Sequence, residues 1–600
     1  MMLSLTLATV TLVGVVSVLA ALARVEANGS PMSFGEALWS SLMRTLDPGT
    51  MGDDVGWPLR VASLTVTVGG VLIVSSLIGL LANGISERAA ELRRGQSPVV
   101  ESGHTLVLGW SPKVFPLLSQ LAIAGDGDGK TTIAVLAPLD KGEMERQIDA
   151  RIPDKRGTKV VCRTGTPYEP IHIAIARPQA AKAVVVLNPG DVDGDAEVVK
   201  TTLALLRTSD LPHDVPVIAE VSGAFTASAL RDGTEGRVTV VRSATVIARI
   251  AAQVCRQPGL SGVYHDLLDF EGYEIYARRV GQLDNMTFGE AVLAFEEASP
   301  IGIKRAEDGR VLLNPGADRR IAPGDEIVAI AEDEDKVVFT GSREAAAVSP
   351  GPAGSNESVE RILLIGWNHM GADVVHELDE YVAPGSSLDI RVDRDVIRSE
   401  DVHVPKTGNL LVSLSDKPLG PDELRALIED DPPDHVVVLC YKERLSEAQA
   451  DARVLLTLLH LRAAIDASGH PTNIVAELLD ERDVGLTPSR ENDEFIVSER
   501  LTALLMAQLA ESTDRGPVFD ELLEQEGSEI YLKPASLYAG PDAVTFANVV
   551  ASARARDEVA IGYQRCSEGS ARRVVLNPPK SAALTLAAGD RVIVISETGN

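Results

Sequence analysis

Two stretches of the chain are apolar all round a helix and carry no charge: Leu3 to Ala23 and Val61 to Ile85. At about 1.5 Å of rise per residue, roughly 20 such residues match a hydrocarbon core about 30 Å thick. Both predict membrane spans, over 3–23 and 61–85. A cleaved leader is the competing reading of the first, because Ala21-Leu-Ala23 resembles a small-x-small cleavage site; no basic residue precedes Leu3, however, and the run is long for a leader. Between the spans, Ser33 and Glu36 have capping-box spacing, and Pro48-Gly49 ends the short helix they start in a tight turn. Residues 33–54 therefore predict a re-entrant loop, and a span, half-buried helix, turn and second span are the minimum parts of a cation pore.

Arg88, Arg93 and Arg94 crowd beyond the second span, whereas Arg24, Arg44 and Arg60 between the spans are outnumbered by Glu26, Glu36, Asp47, Asp53 and Asp54. The positive-inside rule places everything from about Glu87 onward in the cytosol and the loop outside.

Past the spans the pattern changes. Short β-branched runs over 105–108, 131–136, 159–162, 183–187 and 215–221 alternate with amphipathic stretches, as in βαβ units on a parallel sheet. After Arg242, the residues Val246, Ile247, Ile250, Ala251 and Val254 form an apolar stripe at helical spacing, suited to packing on another subunit as well as on its own core. Residues from about 272 to 332 predict a small β-rich lobe closed by Pro323-Gly-Asp325.

This whole pattern occurs twice. His104-Thr-Leu-Val-Leu-Gly-Trp110 recurs as Arg361-Ile-Leu-Leu-Ile-Gly-Trp367, Gly272-Tyr-Glu-Ile-Tyr276 as Gly527-Ser-Glu-Ile-Tyr531, and Leu313-Asn-Pro315 as Leu576-Asn-Pro578. The offset grows only from 257 residues between Gly109 and Gly366 to 265 between Gly324 and Gly589. Ser349 to Ser358 is a Pro/Gly/Ser linker. The expected organisation is a pore module over 1–86, a connector over 87–102, Rossmann-like domains over 103–348 and 360–600, and a linker over 349–359. The fold class is mixed: a two-helix transmembrane module with two α/β Rossmann-like domains, each with a small β-rich C-terminal lobe.

A net charge of −30 argues against nucleic acid, whose binding depends on Lys and Arg. Cations are the more natural partners, although most of the acid solvates the surface. Cys162, Cys255, Cys440 and Cys566 lack any C-x-x-C spacing and fit a reducing cytosol.

Two sites carry candidate ligand chemistry. A dinucleotide turn needs G-x-G-x-x-G so that backbone can approach the pyrophosphate, with an acid further on for the ribose. The first repeat keeps only Gly109, with Pro112 as a helix start. The second keeps Gly366 and Gly371 around Asn368, with Asp393 at the next strand end, so an adenine nucleotide is one candidate regulator. Asp191, Asp193, Asp195 and Glu197 alternate like the opening of a calcium loop, but the glycine stands fourth and Thr202 is twelfth, unlike an EF-hand. Regulatory calcium is the second candidate, with Asp126-Gly-Asp-Gly129 a weaker echo; no cofactor is required. His104, His172 and His369 have no metal spacing.

The architecture resembles ion channels with paired RCK (regulator of conductance) domains. Asp47-Pro-Gly-Thr50, the preceding Ala37-Leu-Trp-Ser-Ser41, and the Leu-Gly-Trp and Ile-Gly-Trp strand ends are similar to the CASTOR/POLLUX channel family and its bacterial relatives. The resemblance implies a ligand-gated homotetramer in the plasma membrane, multi-pass, with a cytosolic gating ring and passing potassium or calcium. It also implies a selectivity filter of Thr45, Leu46, Asp47, Pro48, Gly49 and Thr50. This filter lacks Thr-Val-Gly-Tyr-Gly and offers one carboxylate per subunit instead, which puts strict potassium selectivity in doubt. Pro48 and Thr50 replace the Ala and Asn of the plant pattern. Two rivals are a membrane-anchored NAD-dependent oxidoreductase, which lacks a complete fingerprint and an evident acid or base, and a TrkA-like regulatory subunit of a potassium transporter, against which the pore loop argues.

Overall fold

The computed structural model describes all residues except 1, 28–29, 48, 50–54, 94, 126–130, 191–192, 209, 349–357, 418, 489, 491–492, 523–526, 541, 567–571 and 598–600. Of the linker expected at 349–359 only 358–359 are described, and the acidic turn at 126–129 lies outside the described residues. The chain forms two compact units, residues 1–97 and 98–600.

In the first unit, α1 (Met2–Leu22), α2 (Phe34–Leu46) and α3 (Trp57–Arg93) pack on one another. A capping box starts α2: the Glu36 N–H donates to Ser33 Oγ at 3.3 Å, and the Ser33 N–H donates to the Glu36 carboxylate at 3.1 Å. Within α3, Trp57–Ala82 is the one stretch among the described residues that is long and apolar enough to cross a membrane; the apolar part described in α1, Leu7–Leu22, is shorter. The helix runs on to Arg93, past the boundary expected at 86, because Ile85 to Arg93 holds no proline or glycine to stop it.

The second unit contains two parallel six-stranded sheets of the same topology. In the first, β1 (His104–Leu108), β2 (Thr132–Ala137), β3 (Lys159–Thr164), β4 (Ala181–Val186), β5 (Val217–Val221) and β6 (Val238–Arg242) lie in the order β3-β2-β1-β4-β5-β6. This is the doubly wound order, with its switch point between β1 and β4. Helices α4 (Val114–Ala124), α5 (Gly194–Thr208) and α6 (Ser243–Arg256) belong to this repeat. The lobe that follows comprises β7 (Glu274–Arg278), β8 (Ala298–Lys304), β9 (Val311–Leu313) and β10 (Glu326–Ala331), in the antiparallel order β9-β8-β10-β7.

The second repeat copies this arrangement. Its sheet, ordered β13-β12-β11-β14-β15-β16, comprises β11 (Arg361–Ile365), β12 (Ser386–Arg391), β13 (Leu410–Ser415), β14 (His435–Val438), β15 (Asn473–Leu478) and β16 (Asp493–Val497). Helices α7 (Gly371–Tyr381), α8 (Glu447–Ser468) and α9 (Ser498–Glu511) correspond to α4, α5 and α6. Its lobe, β17 (Glu529–Pro534), β18 (Val559–Arg565), β19 (Arg573–Leu576) and β20 (Arg591–Ser596), has the same strand order as the first.

Strand alternation explains how the repeats join. On β1, Val107 faces one way and Leu106 and Leu108 the other. Val107, Val135 and Val185 merge with Leu364, Val437 and Val475 into one core shared by both repeats, while Leu106 and Leu108, and likewise Leu363 and Ile365, face separate outer cores.

Three details depart from expectation. Val238–Arg242 is a sixth strand that merges in the sequence with the helix after it. Helix α4 begins at Val114 rather than Pro112, since Ser111–Lys113 form a tight turn. Helix α6 packs on α7 of the same chain: Thr245 donates to Asp373 at 2.9 Å, Arg249 reaches Glu377 twice at 3.2 Å, and Gln253 donates to Tyr381 at 3.1 Å, while Ile247 and Ala251 of the stripe face Met370, Val374, Val437 and Val475 of the second repeat. By the same pseudo-symmetry α9 packs on α4.

Candidate pore loop and regulatory crevices

Helix α2 runs through Thr45 and Leu46, the first two residues of the expected filter, and ends there. Asp47 is its C-cap; its N–H donates to the Met43 carbonyl, and its Oδ1 accepts the Gly49 N–H at 2.8 Å. The carboxylate is exposed and lies at the negative end of the helix dipole, so charge and dipole both favour a cation there. Thr45 is buried and donates from Oγ1 to the Ser41 carbonyl at 2.8 Å. The end of α2 lies close against α3: a Cβ on Gly70 would stand 3.0 Å from both Cα and O of Thr45. Leu46 is the last helical residue, while Pro48 and Thr50 lie outside the described residues.

In each Rossmann sheet the first glycine of the turn is required. Gly109 and Gly366 have φ of +104° and +91°, and a Cβ at Gly366 would stand 2.0 Å from the Leu439 carbonyl oxygen. Beyond this turn the crevices are occupied by the chain's own polar groups. The Lys113 ammonium lies 3.0 Å from Glu220, at the end of β5, and 3.1 Å from Glu499 on α9. In the second repeat Asn368 donates to Glu477 at 2.7 Å and to the Cys440 carbonyl at 2.9 Å, and Lys442 lies 3.2 Å from Glu477. Burial alone would lower both lysines. Glu220 and Glu499 outweigh it at Lys113, and Glu477 and Glu499 at Lys442, so both are held above the ordinary lysine range. Burial likewise opposes ionisation of Glu499, but Lys113 and Lys442 hold it below the usual carboxylate range.

The candidate nucleotide residues are brought together and are engaged. The Trp367 ring covers Gly371, whose Cβ would stand 2.7 Å from it. Asn368 is held as above, and Asp393 pairs with Arg453 and accepts the Asp395 N–H at 2.9 Å. The calcium candidates divide. Asp191 lies outside the described residues, Asp193 is exposed, and Asp195 accepts N–H bonds from Asn188, Ser222 and Gly223 at 2.8–2.9 Å. Glu197 is half-buried on α5. Asp451 does in the second repeat what Asp195 does in the first, accepting the Leu479 and Asp480 N–H groups, with no alternating acids around it. Among the described residues no three His, Cys, Asp or Glu side chains gather as a metal-holding group.

A family profile described as "Castor and Pollux, part of voltage-gated ion channel" matches residues 244–345, from α6 through the first lobe. The probable ion channel CASTOR of Oryza sativa subsp. japonica is 31% identical over 620 residues, covering 94% of this chain and 67% of that one. The ion channel CASTOR of Lotus japonicus is also 31% identical, covering 94% and 70%. This chain belongs to the CASTOR/POLLUX ion channel family. The human SLO3 gating ring superposes with a TM-score of 0.58 at 14% identity, covering 82% of this chain and 99% of that one, a likeness of fold.

In this CASTOR/POLLUX chain, the sequence pattern pointed to the glycines and to Asp393 and missed the buried network of Lys113, Glu220, Glu499, Lys442 and Glu477. A signal existed: Val217-Ile-Ala-Glu-Val221 and Ile474-Val-Ala-Glu-Leu478 place a glutamate at the same step of equivalent strands.

Proposed function

We propose that this chain is the subunit of a cation channel in the plasma membrane, with residues 1–97 forming the pore and residues 98–600 contributing two RCK-type domains to a cytosolic gating ring. The observation that carries this reading is a similarity to named ion channels that runs through 94% of the chain and so includes both units. The capped α2 ending at Asp47 beside the apolar α3 supports the pore assignment. One chain supplies one filter loop, so conduction needs several copies about a closed axis, and we assign a homotetramer. The permeant ions are potassium, calcium or both. The engaged groups at the strand ends favour a ring that transmits conformational change over an enzyme that turns over substrate.

Gating requires a ligand with different affinity for two states of the ring. Calcium and an adenine nucleotide are the two classes to test, by calorimetry on the full chain. Conduction itself is tested with purified protein in planar bilayers under opposed potassium and calcium gradients. Verified tetramers that leave the bilayer silent reject the channel reading.

A further inference from the structure

Each β-rich lobe meets helix ends from both repeats, and the two meetings follow one plan with one difference. At the second lobe Tyr381, the last residue of α7, accepts from Gln253 Nε2 of α6 at 3.1 Å and donates to Glu529 at the start of β17. Tyr531 donates to the same carboxylate at 2.7 Å. Gln257, the residue after α6, accepts the Leu532 N–H at 2.8 Å. A phenol ring and an amide thus stand between the helix ends and β17.

The internal repeat carries this plan to the first lobe, where Glu274 and Tyr276 match Glu529 and Tyr531, and Gln508 of α9 matches Gln253. The two large side chains do not recur. The last residue of α4 is Ala124, and the residue after α9 is Ser512. Arg515 takes over the polar link, pairing with Glu274 at 2.7 Å and donating to Gln508. It arrives from the turn after α9, with its guanidinium carbon 5.7 Å from the ring centroid of Phe270 and 5.4 Å from that of Tyr276. The hydroxyl of Tyr381 therefore has a substitute in the first lobe, and its ring has none. Beside Ala124 lies a crevice of about 480 Å³, lined also by Ser512, Glu274, Tyr276 and Arg515. Sites for small molecules run from about 300 to 1,000 Å³. A carboxylate offers about four acceptor positions, so Glu274 can take a further donor beside Arg515, and a guanidinium plane stacks well on an aromatic face.

We propose that this crevice binds a small molecule presenting a phenol-like ring, which takes the place that Tyr381 holds at the other lobe. An O–H or N–H at the ring edge donates to Glu274, and the ring face lies along the Arg515 guanidinium. Bound there, the molecule joins the first lobe to α9 as Tyr381 joins the second lobe to α6, and so ties one repeat to the other. The site is distinct from the strand-end crevices, and its occupancy is measurable whether or not the protein conducts.

The test is hydrogen exchange of the full chain in lipid nanodiscs with 4-methylphenol, the tyrosine side chain as a free molecule, following peptides that contain 272–277 and 511–516 and normalising to peptides of β1. Over a titration to the solubility limit, exchange in both peptides is expected to slow with occupancy, about tenfold at ten times the Kd. Toluene, which has the ring without the donor, should protect them far less. Ala124→Tyr, which fills the crevice from within, should abolish the response to 4-methylphenol; Ser512→Gln serves in its place if the tyrosine variant does not fold. Wild-type peptides that do not respond overturn the proposal, and so do equal protection by toluene and a filled variant that responds as the wild type does.

Discussion

Glu220 and Glu477 hold the same post in the two repeats: each carboxylate accepts a backbone N–H just past the switch-point strand, from Asn188 at 3.2 Å and from Cys440 at 3.3 Å. Each also meets a buried lysine, Lys113 or Lys442, and Lys113 reaches on to Glu499 in the other repeat. The seam between repeats is therefore braced by charge where a nucleotide-binding relative of the fold would keep open space.

Removing one member of a buried pair strands the other, at a cost of about 3–5 kcal/mol. Glu477→Ala is expected to lower the unfolding temperature of the detergent-solubilised full chain clearly. The double variant Glu477→Leu, Lys442→Met should recover much of that loss, because it removes both charges and refills the volume. If the single variant melts like the wild type, the network does not brace the fold.

Adjacent glycines of α3 make a graded test of the pore unit. A Cβ on Gly69 would meet only the flexible end of Leu12, at 2.4 Å, whereas one on Gly70 would crowd the Thr45 backbone at 3.0 Å. Leu12 can rotate away; the end of α2 can yield only by moving Asp47, in the expected filter. Gly70→Ala should reduce conductance several-fold more than Gly69→Ala at equal tetramer yield, and equal effects would detach the filter from this contact.

Legibility in the sequence followed the range of the interaction. Strand alternation and the capping spacing of Ser33 and Glu36 are local, so five strands of the first sheet and the start of α2 could be read directly. The sixth, Val238–Arg242, escaped because only five residues separate its start from a helix. The acids near Asp195 suggested a metal because spacing along the chain says nothing of Ser222 and Gly223, whose N–H groups Asp195 accepts. The α6 stripe announced a partner without saying that the second repeat of the same chain meets it, at Met370, Val374, Val437 and Val475. The Leu-Asn-Pro repeats were visible as repeats, but their grip across the lobe seam, Asn314 on the Asp557 carbonyl and Asn577 on the Glu297 carbonyl, needs the fold.

Acid should loosen the contact between repeats at Glu360. Burial alone would raise this carboxyl, but hydrogen bonds from His435 and Arg256 hold it at about 2, below its ordinary 4.5. A depressed carboxyl adds stability that is fully present above pH 4.5 and is lost as the pH falls from there through 2. After discounting for partial exposure, the contribution is roughly 1–2 kcal/mol. Glu360→Gln should therefore melt lower than the wild type at pH 6, with the gap closing toward pH 2; a constant gap would assign the effect to shape rather than charge.

Asp47 is expected to govern ion entry as one of four carboxylates around the outer pore. The α2 dipole ends beside it, and a ring of acids attracts divalent ions more strongly than a cage of neutral carbonyls does. The same side chain also holds the Gly49 N–H at 2.8 Å, so a purely structural turn is the competing role. Asparagine separates the two, since its side-chain oxygen can accept that N–H while carrying no charge. Asp47→Asn should yield intact tetramers with cation conductance lowered several-fold and with weaker calcium permeation or block, read as a shift in reversal potential under a calcium gradient. Asp47→Ala, which removes both the charge and the acceptor, should add a loss of tetramer stability of about 1 kcal/mol per subunit. If conductance and reversal potential in the asparagine channel match the wild type while the alanine channel falls apart, Asp47 holds the turn and selects nothing.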